Sequence, residues 1–530
     1  MREHTDRLQD LERTIARLTR RHAQLEVLSN KYWRARRVIF VIGAVLSLLI
    51  WYFAGGTAAL IAALLFVLLF AIVATYHNRV RESIIKNGLM REIKRLQVAR
   101  INLDWDHLPP TDQSSRDLNH PFENDLDLTG HRSLHRLLDT AATTEGSRTL
   151  KSWLLNNAPD SSVIEERQRL VSELRKLSLF RDKLYLNALL VSSDSPLQDK
   201  KRYRIERWDS RTLVSWVEQA IPSDSLRPTV IALSILALIN ITLLVLAAVR
   251  LLPYAWLFSL VFYIGAMILK QSRIATAWGE VQDLEKALRR FGAVFKYLES
   301  RGCSGRPHLE KLCAPFLDPQ RRPSAELRRV ERIAAALGLR TNALLWLIAH
   351  AVVPWDFFFT YRLEQLKKEI GRELPRWLDV WYELEALNSL ANFAWLNPNY
   401  TFPEIVSRQK LFAARGLGHP LLKPQHKVTN DFRLDVQQQL VLLTGSNMAQ
   451  KSWWNKSLSR YGNASQRLTN DVLGVKRCSQ RQTEFLLLEW SVMNVESKVV
   501  GCESGYLVIA RRKFRLSSKG FCVGWQKVRC

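Results

Sequence analysis

One short segment of the chain carries residue types that could bind a phosphate group. Residues 441 to 452 have the sequence VLLTGSNMAQKS, in which small and apolar residues lead into a glycine turn and then Lys-Ser. This order is typical of a phosphate-binding loop, whose backbone N–H groups surround the phosphates at a helix N-terminus. The candidate phosphate-binding residues are Gly445, Ser446, Asn447, Met448, Ala449, Gln450, Lys451 and Ser452.

The chemistry expected of this loop is the binding of ATP with Mg2+. Lys451 would neutralise the β- and γ-phosphates, and the Ser452 hydroxyl would contact Mg2+, which makes Ser452 the candidate metal ligand. The pattern G-x-x-x-x-G-K-[ST] has glycine before the lysine, whereas this chain has Gln450. A side chain there occupies space where the backbone approaches the phosphate, so we expect ATP and Mg2+ to bind more weakly.

Hydrolysis of ATP would require more than this loop. An acidic pair at the end of an apolar strand would have to hold Mg2+ and activate water. FLLLEW, residues 485 to 490, supplies Glu489 alone, and chance accounts for it better than function does. We therefore predict no catalytic residue and no hydrolysis by this chain alone.

Composition changes after the loop. Residues 453 to 530 hold four of the six cysteines, and their closing segment has no clear amphipathic period. Either the reading frame shifts near Gln450 and the ATPase domain is lost, or this is a divergent tail that binds no nucleotide. The cysteines form no C-x-x-C pair and no dense framework, which indicates reduced thiols in a cytosolic environment.

The elements that would position the loop include two long apolar segments. Residues 38 to 76 contain no charge and have Gly55-Gly56 near the middle, and residues 230 to 249 and 251 to 269 form a second pair. A span needs roughly 20 residues, so we expect four spans in two transmembrane hairpins. Buried helices of a soluble core are the alternative, but such helices rarely lack charge around their whole circumference. Flanking arginines place both termini and the soluble core on the cytoplasmic side of a membrane, which we take to be the bacterial inner membrane.

The charge of the whole chain favours a polyanionic partner. In 530 residues, 77 Lys and Arg stand against 50 Asp and Glu, which gives a net charge of +27. Nucleic acid and an anionic membrane surface both fit this excess.

Helical periodicity dominates the soluble segments. The apolar spacing near the N-terminus predicts the seam of a short coiled coil, a helix packed on a partner, or a solvated helix that leads into the membrane. Its members are Leu8, Leu11, Ile15, Leu18, His22 and Leu25. Residues 344 to 359 are either a fifth membrane element or, more in keeping with their polar residues, a buried or interfacial segment. We expect His350 and Asp356 to be satisfied core groups rather than a catalytic pair.

Five segments, in order, resemble the MutS family. They are LHRLLDTAATTEGSRTLKSWLL, VIEERQRLVSELRK, YELEALNSLANFAWLNPNYTFPEI, ARGLGHPLLKPQHKVTNDFRL and VLLTGSNMAQKS. Members of this family are ATP-dependent, DNA-binding dimers, many of which serve mismatch repair. The resemblance implies sequence-independent DNA binding and a homodimer. Mismatch recognition in the family uses a Phe-x-Glu wedge, and Phe122-Glu123 has the wrong spacing for it.

The resemblance and the apolar segments together give the expected fold. It is mainly α, a helical MutS-like core and lever with two transmembrane helical hairpins, followed by the start of an α/β P-loop ATPase domain. The expected domains are a basic coiled-coil-like helix (1–37), a first transmembrane hairpin (38–76), a helix and linker (77–119), the first part of the core (120–226), a second transmembrane hairpin (227–270), the second part of the core and lever (271–409), the start of the ATPase domain (410–452) and an atypical tail (453–530).

The expected function is that of a membrane-anchored MutS-like protein related to mismatch repair, which binds ATP and DNA and has impaired ATPase activity. The alternative is a nucleotide-independent helical membrane scaffold with a relic P-loop.

Overall fold

The computed structural model describes most of the helical part of the chain and short pieces of the remainder. The described residues are 2–110, 120, 122–123, 126–158, 160–190, 207–218, 225–249, 251, 255–269, 271–300, 305–318, 321–341, 346, 349–350, 353–405, 412–434, 513–517 and 520–524. Among these residues the fold is mainly helical, which confirms the expected class at this level.

The helices and strands are named in chain order. The helices are α1 (Arg2–Ala54), α2 (Gly56–Asn102), α3 (Leu134–Leu138), α4 (Thr144–Leu154), α5 (Ser161–Arg175), α6 (Ser178–Leu190), α7 (Arg211–Glu218), α8 (Arg227–Ala248), α9 (Ala255–Leu269), α10 (Gln271–Ser300), α11 (Pro307–Leu317), α12 (Pro323–Leu337), α13 (Trp355–Ile370) and α14 (Leu374–Leu396). The strands are β1 (Phe412–Leu417), β2 (Asn430–Leu434), β3 (Lys513–Ser517) and β4 (Gly520–Gly524).

Helices α1 and α2 form one long antiparallel hairpin. Gly55 makes the turn with a φ of +89°, a left-handed conformation that glycine adopts at little cost. The two helices contain 53 and 47 residues, so each is about 70 to 80 Å long. They approach closely at Gly43, where an added Cβ would lie 2.8 Å from Cγ of Phe66.

The predicted seam near the N-terminus packs on the second helix of this hairpin. Leu11 packs with Ile101 and Leu396 in one buried cluster, and His22 and Leu25 are also buried. The partner of the seam therefore lies in the same chain. Helices α1 and α2 run unbroken through the predicted domain boundaries at 37 and 76, because apolar and amphipathic stretches share the same helix.

Three helices in the described part of the chain are long and apolar enough to cross a membrane. They span Glu3–Ala54, Gly56–Asn102 and Arg227–Ala248. In the most apolar stretch of each of the first two helices, only 6% of the residues are buried. Such exposure conflicts with a soluble core and indicates association with a membrane. The fourth predicted span corresponds to a shorter apolar helix, Trp256–Ile268. Its parent helix α9 has 15 residues and is about 22 Å long, less than the roughly 30 Å of a bilayer core.

The region around residues 344 to 359 is built into the core where it is described. Pro354 precedes α13, and Phe357 packs with the base of α8 in a buried cluster. Asp356 is 3% exposed, and its Oδ2 accepts a hydrogen bond from Nε1 of Trp346 at 3.1 Å. His350 lies 3.6 Å from the same carboxylate. Both residues are buried in the core as expected, but Oδ1 of Asp356 has no hydrogen-bond partner among the described residues, so this carboxylate is only partly satisfied.

The chain divides into two compact units. The first contains Met1–Gln113, Thr129–Asn156 and Ser161–Pro403, and the second contains Ser114–Leu128, Asn157–Asp160 and Glu404–Cys530. The first unit holds the main apolar core, in which Phe291, Phe295 and Trp381 are almost fully buried. In the second unit β1 pairs with β2 and β3 pairs with β4, both antiparallel.

Candidate functional site

The predicted phosphate-binding loop lies outside the described residues. This holds for every member from Gly445 to Ser452 and also for Glu489. The loop and its roles for ATP and Mg2+ therefore stay predictions from the sequence. The nearest described segment before the loop is the β1–β2 pair, which ends at Leu434.

The β1–β2 pair is held by contacts that its glycines permit. Gly416 has a φ of +60°, and its N–H donates to Oδ1 of Asp431 at 2.7 Å. A Cβ added at Gly418 would lie 3.0 Å from Cγ2 of Thr429. Burial lowers the pKa of the Lys427 ammonium to about 8. The Asp431 carboxylate of β2 thus binds the backbone of β1 where the register of the pair shifts, between Ala414 and Leu417.

In the first unit, a buried carboxyl group ties α14 to the start of α4. Oε1 of Glu385 accepts hydrogen bonds from the backbone N–H of Ala142 at 2.8 Å and of Thr143 at 3.2 Å. The Thr143 hydroxyl donates to Oε2 of the same carboxyl group. That hydroxyl also accepts the N–H of Gly146 at 3.0 Å and so caps α4.

Gly146 leaves the space that this carboxyl group fills. An added Cβ would overlap with Oε2 of Glu385. Burial raises the pKa of Glu385 to about 8, and the three donors only partly offset it. The carboxyl group is therefore mostly protonated at neutral pH and can release a proton when its surroundings change. Gly146 lies in the first turn of α4.

A second buried acid lies beside the first. Oδ2 of Asp139 is 2.5 Å from Nη2 of Arg207 and accepts a hydrogen bond from the Ser147 hydroxyl at 2.5 Å. Burial raises the pKa of Asp139, but Arg207 and His135 outweigh this effect and hold it below its usual range. Nη2 of Arg100 donates to the backbone carbonyl of Asp139 at 2.5 Å. Asp139 is thus a charged structural group, whereas its neighbour Glu385 is largely neutral.

A third polar group connects the extension of the membrane hairpin to the core. Nζ of Lys94 in α2 lies 2.5 Å from Oδ2 of Asp182 in α6. Nε2 of Gln97 donates to Oδ1 of Asp182 at 2.9 Å and to Oδ1 of Asn392 in α14 at 3.2 Å. One network therefore joins α2, α6 and α14.

Sequence reasoning missed these buried polar groups. It predicted helical periodicity and no buried polar group, although Glu385, Ser389 and Asn392 fall on one face at spacings of four and three. Polar residues in register with the apolar stripe were the available signal. Across the part of the chain that the structure describes, no cluster of His, Cys, Asp and Glu could hold a metal ion.

No model of a known protein family matches this chain, and no curated protein matches it either.

Proposed function

We propose that this chain is a membrane-anchored MutS-like protein that binds ATP and DNA and has impaired ATPase activity. The observation that carries the proposal is the order of five MutS-like segments that ends in TGSNMAQKS. The helical first unit supplies a scaffold of the kind that this proposal requires. Membrane association rests on the three long apolar helices.

Within the first unit, α14 is joined by buried hydrogen bonds to two neighbouring elements. Its Glu385 binds the start of α4, and its Asn392 accepts a hydrogen bond from Gln97 of α2. Helix α2 continues from the first apolar hairpin. A shift of α14 would therefore break buried hydrogen bonds to both neighbours, and such bonds are costly to leave unpaired.

The proposed DNA binding is electrostatic and independent of sequence. The net charge of +27 supplies the attraction, and no base-reading motif is visible. A gel mobility shift of random-sequence duplex DNA should appear at low salt and weaken as the salt concentration rises. The logarithm of the binding constant should fall linearly with the logarithm of the salt concentration, with a slope of about −0.9 per neutralised phosphate. Detergent micelles without protein serve as the control. The absence of a mobility shift at low salt would contradict the proposed DNA binding.

The second candidate is a nucleotide-independent helical scaffold with a relic P-loop. Gln450 in place of glycine and the missing acidic pair favour it. Self-association is expected in both candidates, but only the scaffold associates equally with and without Mg-ATP. Chemical cross-linking of the full chain at matched concentrations separates the two. The buried N-terminal seam already pairs within the chain, so a homodimer would need another surface.

We also propose that both termini face the cytoplasm of a bacterium, because Arg34, Arg36 and Arg37 flank the first apolar hairpin. A cysteine introduced by Arg13→Cys should resist a membrane-impermeant thiol reagent in intact cells. Rapid labelling in intact cells would contradict this orientation, because it would show that the N-terminal helix lies outside the cytoplasm.

A further inference from the structure

Basic residues border the first apolar hairpin on both of its arms. We call this group the basic belt, and its members are Lys31, Arg34, Arg36, Arg37, Arg79 and Arg81. Residues 27 to 81 contain no Asp or Glu. The acids just beyond them have other partners, since Glu26 lies 3.5 Å from His22 and Glu82 lies 3.6 Å from Lys86. Within the described part of the chain, no belt residue forms an ion pair with a carboxylate, so the positive charge of the belt is not neutralised there.

Contacts between α1 and α2 place the two parts of the belt at one level of the hairpin. Nη1 of Arg36 in α1 lies 3.2 Å from Nδ1 of His77 in α2, and Oγ of Ser29 lies 3.0 Å from Nε2 of the same ring. Arg81 is also close enough to this ring for their charges to interact. His77 is 6% exposed and connects the two arms, whereas the five belt residues other than Arg36 are exposed.

The length of the apolar arms puts this level at the surface of a bilayer. Residues 38 to 54 of α1 number 17 and are about 25 Å long, and residues 56 to 76 of α2 number 21 and are about 31 Å long. The hydrocarbon core of a bilayer is about 30 Å thick. When the turn at Gly55 reaches the far side of this core, the belt therefore lies among the headgroups of the near side.

Two exposed aromatic residues lie in the belt and carry its guanidinium groups. Cζ of Arg37 is 4.4 Å from the centre of the Trp33 ring, and Cζ of Arg79 is 5.6 Å from the centre of the Tyr76 ring. Trp33 is 50% exposed and Tyr76 is 51% exposed. Trp and Tyr are enriched where hydrocarbon meets the headgroups, because their rings have an apolar body and a polar end. Charge and ring thus meet on the same exposed surface.

The apolar surface beside the belt separates two classes of anionic partner. Val38 is 54% exposed and Phe40 is 68% exposed, directly next to the arginines of α1. Duplex DNA would bring charge to the belt and leave this apolar surface in water. A phospholipid brings a charged headgroup and apolar chains together, so it matches both parts of the surface.

We propose that the basic belt binds the headgroups of anionic phospholipids, whose acyl chains pack along the apolar arms of the hairpin. Each arginine that meets such a headgroup increases binding about fivefold relative to a zwitterionic lipid. The inference rests on the membrane association in the proposed function and does not depend on ATP or DNA binding. It assigns part of the positive charge of the chain to lipid rather than to nucleic acid.

Spin-labelled lipids test the belt in the full chain reconstituted into phosphatidylcholine vesicles. Trace amounts of phosphatidylglycerol or phosphatidylcholine, each labelled on an acyl chain, report the fraction of lipid whose motion the protein restricts. We expect phosphatidylglycerol to be enriched in this fraction by up to about fivefold, and the enrichment should fall as the salt concentration rises. Soluble glycerol 3-phosphate should not compete, because it lacks the acyl chains.

Variants at exposed positions assign the enrichment to the belt. In the belt variant Arg34, Arg37, Arg79 and Arg81 are all changed to Gln, and in the matched control Arg169, Arg329 and Arg332, which are exposed in α5 and α12, are changed to Gln. The belt variant should lose most of the enrichment and keep the mobility shift of DNA, whereas the control should keep the enrichment. Changing the same four belt residues to Lys keeps the charge and should also preserve the enrichment.

The outcomes separate this inference from the proposed membrane association. If no labelled lipid is restricted, the chain does not enter the bilayer and both proposals fail. If lipid is restricted but phosphatidylglycerol and phosphatidylcholine are restricted equally, only the lipid preference is overturned. Unchanged enrichment in the belt variant would also overturn it, and loss of the DNA shift in that same variant would assign the belt to nucleic acid.

Discussion

Replacement of Glu385 tests whether a neutral carboxyl group joins α14 to α4. Burial raises its pKa from the usual 4.5 to about 8. The folded chain therefore holds this proton over a pH range in which the unfolded chain has lost it. Stability from the group is complete below about pH 4.5 and falls as the pH rises toward 8. At 1.36 kcal/mol per pH unit, the difference between the two pKa values corresponds to about 5 kcal/mol.

Glu385→Gln keeps the shape of the side chain and removes the titration. Its amide oxygen can accept the N–H groups of Ala142 and Thr143, and its amide nitrogen can donate to the Thr143 hydroxyl. The second amide hydrogen and the hydroxyl hydrogen of Thr143, which loses Oε2 as its acceptor, are left without a partner, and an unpaired buried group costs about 1 to 3 kcal/mol. We expect the variant to be less stable than the unaltered chain at pH 5 and more stable at pH 8.

Thermal unfolding followed by tryptophan fluorescence between pH 5 and pH 8 measures this crossing. Glu165→Gln, at an exposed position of α5, is the control and should follow the unaltered chain at every pH. If the curves of Glu385→Gln and the unaltered chain run parallel across this range, the carboxyl group is not held neutral and the reasoning fails.

Three further substitutions test close contacts by thermal unfolding. Gly146→Ala should lower the free energy of unfolding by about 1 to 3 kcal/mol, because the new Cβ meets Oε2 of Glu385. An unchanged midpoint of thermal unfolding would refute that contact. Lys94→Met should cost about 3 to 5 kcal/mol because it leaves Asp182 charged and buried, and a further Asp182→Leu change should recover most of the loss. Gly43→Ala should lower the midpoint of thermal unfolding, because the new Cβ meets the Phe66 side chain and forces α1 away from α2. A midpoint equal to that of the unaltered chain would show that the two helices are not in such close contact.

The sequence predicted the apolar hairpins well because their signal is long and local. Uncharged stretches and Gly55 were enough to expect α1, α2 and the turn between them. The length of α9, 15 residues, was not foreseen from the apolar run of residues 251 to 269, since hydropathy does not show where a helix begins.

The buried polar contacts were beyond sequence reasoning for a different reason. Glu385 and Thr143 are far apart in the chain, and only tertiary packing shows that Gly146 makes room between them. A single glutamate in an amphipathic helix is usually a solvated residue, so its type alone did not indicate burial. The candidate ATP site differs from these contacts, because a contiguous sequence motif indicates it and no tertiary contact is needed to recognise the motif.

Isothermal calorimetry with Mg-ATP on the full chain in detergent measures whether the loop from Gly445 to Ser452 binds ATP. We expect a saturable heat for the unaltered chain, loss of that heat in Lys451→Ala, and its retention in the matched control Lys456→Ala. Gln450→Gly should tighten binding because it restores the glycine that lets the backbone approach the phosphate. No heat in the unaltered chain and in Gln450→Gly, or the same heat in Lys451→Ala, would contradict the claim that this loop binds ATP.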